Sequence, residues 1–343
     1  MSFRGSEATR GIFMKRENMR YSLSTVEAFK HLHSKDTIEL TDEQLALLQQ
    51  TLYGILRDIV AFCKKYKIRY ELGGGSVLGA VRHGAIIPWD DDIDINMPRR
   101  DYDKFRRLFP KKMGAKYWLH TPEATDNLAL LFSRVRLKGT SVKTREDYFT
   151  DECGAFIDIF IIENTFDNPV LRKIHGLGSL ALGLLLSCRK FWRDRKMMME
   201  LVKEESEQIS KAESSSNTKE NDLEDKVIDI KRVRRIFIIK ILIGMPLAIL
   251  PINFWTRFAN KWNGMCHNHR SKYVTTPCGR KHFFGELYKR GELVATVEKD
   301  FGGMKCAIPR AYDKYLTKLY GDYMKIPEDI EQEKHIVYDP FVL

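Results

Sequence analysis

The chain of 343 residues is long enough for one large domain or for a domain with a sizeable insertion, and its 43% hydrophobic and 30% charged residues exclude disorder over most of its length. A formal net charge of +11 favours polyanionic partners, whether nucleic acid, anionic lipid or a phosphate-rich substrate. Six cysteines without a CxxC pair, and a start without the apolar stretch of a signal peptide, are typical of a reduced cytoplasmic protein.

Helix and strand patterns alternate along the first part of the chain. A capping box at Thr41 and Gln44, followed by leucines and isoleucines at helical spacing, predicts a long amphipathic helix. The residues IRYEL then predict a strand, three glycines end it, and Ser76 is expected to cap the next helix. The predicted order is therefore strand, glycine turn, helix.

An acidic strand is predicted next. In DDDIDINM, Asp92 and Asp94 fall on one face and isoleucines on the other. RRDYDKFRRLF is typical of a basic helix, and KYWLHT, ALLFSRVRLKG and AFIDIFII predict three more strands, the last with Asp158 between apolar neighbours. These patterns predict an α/β first half.

Two apolar runs, 174–188 and 236–255, mark the second half, and a charged, Ser-rich segment at 203–226 between them is expected to be a solvated linker. The first run would measure about 22 Å as a helix, against about 30 Å of membrane hydrocarbon. Pro246 and Pro251 interrupt the second. Because cationic and aromatic residues flank both runs, we favour helices in the plane of an anionic membrane surface over buried core helices or a membrane hairpin.

The acids suggest a metal site. Side chains two residues apart on a strand share a face, so Asp92 and Asp94 are expected to converge on a hard cation such as Mg²⁺. Asp158 on a neighbouring strand would complete a site that binds a second ion or activates a nucleophile.

The glycines suggest a phosphate site. A turn without side chains lets backbone N–H groups at a helix N-terminus approach a phosphate closely. Ser76 adds a hydroxyl, and Arg82 and His83 follow two helical turns later, where either could reach phosphate oxygens. Together the glycine turn and the acidic strand favour metal-assisted phosphoryl transfer from a nucleotide.

Simpler interpretations remain open at this point. The glycines could form only a tight turn, and G-x-G-x-x-x-G is a weak dinucleotide signal that lacks the usual lone acid about twenty residues later. Cys266, His269, Cys278 and His282 could bind zinc, but their spacing matches no familiar zinc finger, and zinc is disfavoured. Four acids in five positions repel one another unless a cation neutralises them, which weighs against a structural role.

The stretch GGGSVLGAVRHGAIIPWDDDIDINMPRRDYDKF strongly resembles the LicD proteins, a family that includes fukutin-related members and is assigned to the nucleotidyltransferase-like superfamily. GAFIDIFII resembles the family's later aspartate strand, and FGGMKCAIPRAYDKYLTKLYGDYMKIP resembles its C-terminal segment. The resemblance implies an α/β (α+β) nucleotidyltransferase-like core, a mixed sheet flanked by helices, with a helical, apolar and basic insertion lobe. The expected parts are an N-terminal extension (1–40), the catalytic core (41–165), a helical membrane-contacting insertion (166–262) and a C-terminal part that completes the core (263–343).

Residue by residue, the resemblance implies that Asp92, Asp94 and Asp158 are the catalytic metal-binding acids, with Mg²⁺ as the ion and Mn²⁺ as the alternative. The nucleotide-phosphate turn corresponds to Gly74, Gly75 and Ser76. The resemblance assigns no clear role to Asp90 and Asp91, or to the signature Tyr320, Gly321 and Asp322. Gly73 stands where relatives often have serine.

The implied activity is transfer of phosphocholine from CDP-choline to a hydroxyl of a cell-surface glycan precursor, of the teichoic acid or lipopolysaccharide type. The expected partners are the nucleotide donor, a lipid-linked glycan acceptor and the membrane, with the protein cytoplasmic and peripheral at the inner face. Nucleotidyl transfer, or transfer of phosphoethanolamine, glycerol phosphate or ribitol phosphate, is the alternative. A non-catalytic membrane adaptor or a nucleic-acid binder is less favoured, because the glycine and aspartate motifs are intact and no RNA-stacking motif occurs.

Overall fold

The structure, a computed structural model, describes residues 37–38, 40–144, 147, 150–214, 220–326 and 337–343. These residues form two compact units, which we call the core unit (36–190 and 246–343) and the helical unit (191–245), each over its described part. Nearly all of the N-terminal extension predicted at 1–40 lies outside the described residues.

Helices and strands are numbered along the described chain. The helices are α1 (Asp42–Tyr66), α2 (Gly74–Arg82), α3 (Arg99–Met113), α4 (Pro169–Arg193), α5 (Arg195–Ser214), α6 (Glu220–Leu247), α7 (Ile252–Asn263), α8 (His282–Gly285), α9 (Arg290–Leu293) and α10 (Tyr312–Tyr320). The strands are β1 (Thr37–Ile38), β2 (Glu71–Leu72), β3 (Asp94–Pro98), β4 (Tyr117–His120), β5 (Ser133–Leu137), β6 (Ser141–Thr144), β7 (Phe156–Asn164), β8 (Tyr273–Thr275), β9 (Leu287–Lys289), β10 (Thr296–Phe301), β11 (Met304–Pro309) and β12 (Val337–Val342).

A mixed sheet forms the centre of the core unit. Its main path runs β2-β3-β7-β5-β4, and β8 and β9 extend it from β7. The pair β3 and β7 is parallel, whereas the other pairs are antiparallel. A hairpin of β10 and β11 and a small sheet of β1, β12 and β6 complete the strands. This is the α/β core with a mixed sheet and flanking helices that was predicted.

The first helix shows how local sequence determines this fold. Thr41 and Gln44 form the predicted capping box, in which the Thr41 side chain accepts from the Gln44 amide. The buried residues recur at helical spacing, so one face of α1 packs into the main hydrophobic core. Burying such a leucine or isoleucine stabilises the fold by about 1.5–3 kcal/mol. The residues of this buried face are Leu48, Leu52, Ile55, Leu56, Ile59, Phe62 and Cys63.

Three local predictions need correction. Helix α2 begins at Gly74 with Gly73 as its N-cap, so Ser76 is not the cap. The strand predicted from IRYEL is limited to β2, and the strand predicted from Asp92 begins at Asp94. The hydrogen bond from the Asp94 amide to the Ser76 hydroxyl, described with the site, accounts for the first of these differences.

The linker predicted at 203–226 is helical wherever it is described, within α5 and α6. Its lysines and glutamates are good helix formers, and Lys203 and Glu207 make an i,i+4 ion pair of 3.8 Å. The helical unit has a small hydrophobic core of Phe191, Met198, Val202 and Phe237. In this core the rings of Phe191 and Phe237 pack edge to face. Local helix propensity therefore outweighs the polar composition that suggested a linker.

Candidate active site

The glycine turn lies directly against the acidic segment. The Gly73 amide donates to the Asp94 carbonyl at 2.8 Å, and Gly74 adopts a φ of +42°, which favours glycine. A Cβ at Gly74 would stand 3.1 Å from an Asp94 carboxylate oxygen, and one at Gly75 would stand 3.1 Å from an Asp90 carboxylate oxygen. A side chain at either position would therefore crowd a carboxylate, and at Gly74 the positive φ would add backbone strain.

Ser76 connects the turn to the strand. The Asp94 amide donates to the Ser76 hydroxyl at 2.8 Å, and Ser76 is buried. This bond fixes α2 against the start of β3, which explains why the serine is inside the helix rather than at its cap. Its predicted contact with a phosphate remains a prediction.

The first turn of α2 presents backbone amides. An α-helix leaves its first N–H groups without partners inside the helix, and the helix dipole favours an anion there. One of them, from Gly74, donates to the Tyr315 hydroxyl at 2.9 Å. The amides of Gly75 and Ser76 follow it in the same turn, beside the acidic segment.

Three acids form a compact group of oxygen ligands. Carboxylate oxygens of Asp90, Asp91 and Asp92 all lie within 4.8 Å of one another. Ile93 and Ile95 are fully buried, which fixes the backbone on either side of Asp94. Clustered carboxylates are the donors that Mg²⁺ and Mn²⁺ prefer, so this donor set fits a hard divalent cation. The ligand set predicted from the sequence was Asp92 with Asp94 and Asp158.

Asp158 lies beside Asp94 but is bound by an arginine. The two aspartates pair in register on the parallel strands β3 and β7. Arg134 on β5 donates two hydrogen bonds to Asp158, from Nε to Oδ1 at 2.6 Å and from Nη2 to Oδ2 at 2.8 Å. Both side chains are buried. Each carboxylate oxygen keeps a further lone pair, so metal binding by Asp158 remains a prediction.

Arg82 and His83 lie at the far end of α2, about 12 Å along the helix from the glycines. Arg82 Nε donates to His83 Nε2 at 2.9 Å, and Arg82 Nη1 donates to the Tyr323 carbonyl at 3.1 Å. Burial, and then the charge of Arg82, lowers the pKa of His83, which keeps its Nε2 available as an acceptor. Both residues also contact Trp89, which precedes the acidic group.

Helix α10 adds residues that sequence reasoning did not place at the site. Tyr320 lies near Gly74, and burial together with Asp94, Asp90 and Asp92 raises the pKa of Tyr320 well above its usual range. Its hydroxyl therefore keeps its proton and is a donor. The Arg280 guanidinium lies over the Tyr320 ring at 5.3 Å. The Tyr320 signature was noted in the sequence without a role, and no local pattern marked Arg280.

The possible zinc ligands have other contacts. The Cys278 thiol donates to the Leu131 carbonyl at 3.3 Å, and His269 Nδ1 lies 3.2 Å from the Asn164 side-chain amide. Within the described residues, the only group of three or more potential metal ligands is Asp90, Asp91 and Asp92.

The part of the chain that contains the glycine turn and the acidic segment matches a known protein family. A family described as LicD/FKTN/FKRP, nucleotidyltransferase domain, matches residues 67–170, which contain the glycine turn, the acidic segment and Asp158. Residues 67–170 are a LicD-family domain. The residues quoted for the resemblance at 73–105 and 154–162 therefore belong to a recognised domain.

Three relatives show how far along the chain the similarity extends. The lipopolysaccharide cholinephosphotransferase LicD of Haemophilus influenzae is 26% identical over 315 residues, covering 89% of this chain and 99% of the relative. Human ribitol 5-phosphate transferase FKRP is 41% identical over 59 residues, covering 17% of this chain and 12% of FKRP. An uncharacterized protein of Rickettsia prowazekii is 33% identical over 85 residues, covering 23% of this chain and 32% of that protein. Similarity thus extends beyond the LicD domain in the first case and stays local in the others.

Proposed function

We propose that this protein transfers phosphocholine from CDP-choline to a hydroxyl of a cell-surface glycan precursor. The observation that carries the proposal is the similarity, over 89% of the chain, to a lipopolysaccharide cholinephosphotransferase. The glycine turn packed against an acidic segment supports it, because backbone amides and carboxylates lie close enough there to act on one phosphoryl group together.

The proposed step is a substitution at phosphorus. The glycan hydroxyl oxygen bonds to the phosphorus that carries choline, the bond from that phosphorus to the bridging oxygen breaks, and CMP leaves with the bonding electron pair. The hydroxyl proton passes to a carboxylate. Because Arg134 holds both oxygens of Asp158, and Asp92 is proposed as a metal ligand, we assign this proton to Asp94 and give Asp158 a positioning role.

Asp90, Asp91 and Asp92 are proposed to hold a divalent cation, Mg²⁺ in preference to Mn²⁺, with Asp94 beside them. The cation would neutralise charge on the transferred phosphoryl group. The amides of the first turn of α2 would bind phosphate oxygens, and the nearby Tyr320 hydroxyl would donate a further hydrogen bond.

Donor binding tests this proposal first. CDP-choline is titrated calorimetrically into the full chain, with and without Mg²⁺, alongside CDP-ethanolamine, CDP-glycerol and CTP. We expect binding that needs Mg²⁺ and is tightest for CDP-choline. Asp92→Asn should weaken the Mg²⁺-dependent binding, whereas the control Asp103→Asn, in a partly exposed i,i+3 ion pair with Arg106 on α3, should not.

The released nucleotide distinguishes the two reaction types. Free CMP among the products, with choline on the glycan, agrees with phosphocholine transfer. A product that retains the nucleotide would show nucleotidyl transfer instead, and no binding of any nucleotide would contradict both. Transfer of another phospho-alcohol is the second candidate, favoured by the local similarity to a ribitol 5-phosphate transferase, and tighter binding of a different CDP-alcohol would identify it.

A further inference from the structure

Two neighbouring helices of the core unit, α4 and α7, expose an apolar surface. Outward-facing side chains follow α4 at helical spacing, and two phenylalanines of α7 stack at 6.0 Å. We call this surface the α4–α7 face. Its exposed residues are Val170, Leu171, Ile174, Leu177, Leu180, Leu184, Phe254 and Phe258.

The opposite side of α4 is bonded to α7 and to the chain around it. Ser179 donates to Asn263 Oδ1 at 2.7 Å, and the indole N–H of Trp262 donates to the His175 carbonyl at 2.9 Å. Near the other end of α4, Arg189 Nε donates to the Leu250 carbonyl at 3.3 Å. The two helices therefore run antiparallel and side by side, with their polar contacts inward.

The charged side chains of α4 and α7 are all positive. Pro169–Arg193 and Ile252–Asn263 contain no aspartate or glutamate, and their lysines and arginines lie beside or between the apolar residues. Lys173 and Lys261 are exposed examples. An apolar face bordered by cations, with aromatic side chains, matches the boundary between anionic headgroups and acyl chains.

A second copy of this chain suits the face less well. Arg257 on α7 already pairs with Asp126 at 3.0 Å. In a symmetric dimer, however, the exposed Lys173 and Lys261 would meet cations of the other copy without an acid on either helix to pair with them. An anionic lipid surface supplies the missing negative charge.

The α4–α7 face also differs from a membrane span. By length and composition, α4 could cross a membrane, and the broken pair Lys231–Leu247 and Ile252–Asn263 would count as a second span. However, α4 is bonded to the core unit at His175, Ser179 and Arg189, so only its outer side is available to lipid. This geometry fits a helix lying in the plane of the interface.

We propose that the α4–α7 face binds the surface of a bilayer that contains anionic phospholipid. This interaction does not depend on the reaction proposed above, since it involves none of the residues of the candidate active site. It would hold the core unit at the membrane, where a lipid-linked acceptor would be found.

Vesicle sedimentation with the full chain tests the proposal. The chain should sediment with vesicles of equimolar phosphatidylglycerol and phosphatidylcholine, and added NaCl should release part of it. Leu177→Glu should lower binding about tenfold or more, because it places a charge in the apolar contact. The matched control is Leu47→Glu on α1, since Leu47 and Leu177 are 48% and 52% exposed, and it should leave binding unchanged.

Two further variants separate the contributions of α7 and of a single lysine to vesicle binding. Phe258→Ser tests α7 independently of α4, and Lys261→Gln should weaken binding to anionic vesicles about fivefold. Equal binding to pure phosphatidylcholine vesicles, or unchanged binding of folded Leu177→Glu and Phe258→Ser, would overturn the proposal. It would also be overturned if Leu177→Glu only converted a dimer to a monomer in sedimentation velocity, without loss of vesicle binding. Circular dichroism and thermal melting establish that each variant is folded.

Discussion

The Gly74 amide donates a 2.9 Å hydrogen bond to the Tyr315 hydroxyl, joining positions 241 residues apart in the chain. Through this bond, α10 holds the turn at which α2 begins. Tyr315 is buried, and burial raises its pKa well above the usual range, so the hydroxyl remains neutral. The candidate site therefore depends on the C-terminal part of the core unit as well as on the LicD domain.

Removing this hydroxyl should affect both stability and donor binding. We expect Tyr315→Phe to lower the free energy of unfolding by about 1 kcal/mol, because the Gly74 amide loses its acceptor. The KM for the nucleotide donor should also rise, since the turn is less firmly held. Urea denaturation and initial-rate kinetics measure these effects. Tyr312→Phe on the same helix is the control, and an equal effect from it would contradict the role given to Tyr315.

Gly74→Ala should abolish most activity. The φ of +42° strains any other residue by about 1–2 kcal/mol, and the new Cβ would stand 3.1 Å from the Asp94 carboxylate. Gly303→Ala is a matched control, because Gly303 has a φ of +78° with open space around its Cβ position. We expect similar losses of stability in thermal melts, but loss of CMP release only for Gly74→Ala. Full activity of Gly74→Ala would show that the turn does not contact the donor.

The pair Arg134 and Asp158 allows stability and activity to be separated. Arg134→Met alone should destabilise the fold by about 3–5 kcal/mol, since it leaves a buried carboxylate without its partner. The double variant Arg134→Met with Asp158→Leu should recover most of this stability. If Asp158 positions the site as proposed, the double variant should be folded and inactive in urea denaturation and CMP-release assays. A fully active double variant would remove Asp158 from the mechanism.

Glu286 should make stability depend on pH. Burial raises the pKa of this carboxyl to about 7, although the Lys281 amide donates to it at 3.0 Å. The folded protein thus holds this proton more tightly than the unfolded chain, whose ordinary carboxyl value is 4.5, so stability falls as the pH rises from about 4.5 to 7.

Glu286→Gln removes this titration. At pH 8 the variant should be more stable than the parent by up to about 3 kcal/mol, and near pH 5 the difference should fall below about 1 kcal/mol. Glu292→Gln is a control whose stability should change in the opposite direction. A hydrogen bond from Lys314 lowers the pKa of Glu292. Because this ion pair is partly exposed, losing it should lower the stability at pH 8 by less than about 1 kcal/mol. Urea denaturation at the two pH values measures both, and a parent whose stability does not change between them would contradict the assignment.

The sequence predicted what depends on nearby residues. Thr41 and Gln44 are three residues apart, and their capping box and the buried face of α1 follow from that spacing alone. The same holds for Asp158, which the strand-like apolar run AFIDIFII placed on a strand. Such contacts need no knowledge of the rest of the fold.

Long-range contacts account for what was missed. Gly73 replaces Ser76 at the start of α2 because the Ser76 hydroxyl is used by the Asp94 amide. The ion pair of Arg134 and Asp158 joins residues that are 24 positions apart in the chain, on adjacent strands. The two arginines in the strand-like run ALLFSRVRLKG were the sequence feature from which this pair could have been predicted. Tyr315 has no local pattern that would place it at Gly74.

The bond between Gly74 and Tyr315 also has a consequence for biosynthesis. Ribosomes add about 5–20 residues per second, so the 241 residues between these positions take about 10–50 s to make. For most of that interval the glycines and the aspartates of the acidic segment are already part of the chain, while the tyrosine that holds the turn is not. The nascent protein therefore cannot complete the turn at Gly74 until Tyr315 has been added to the chain.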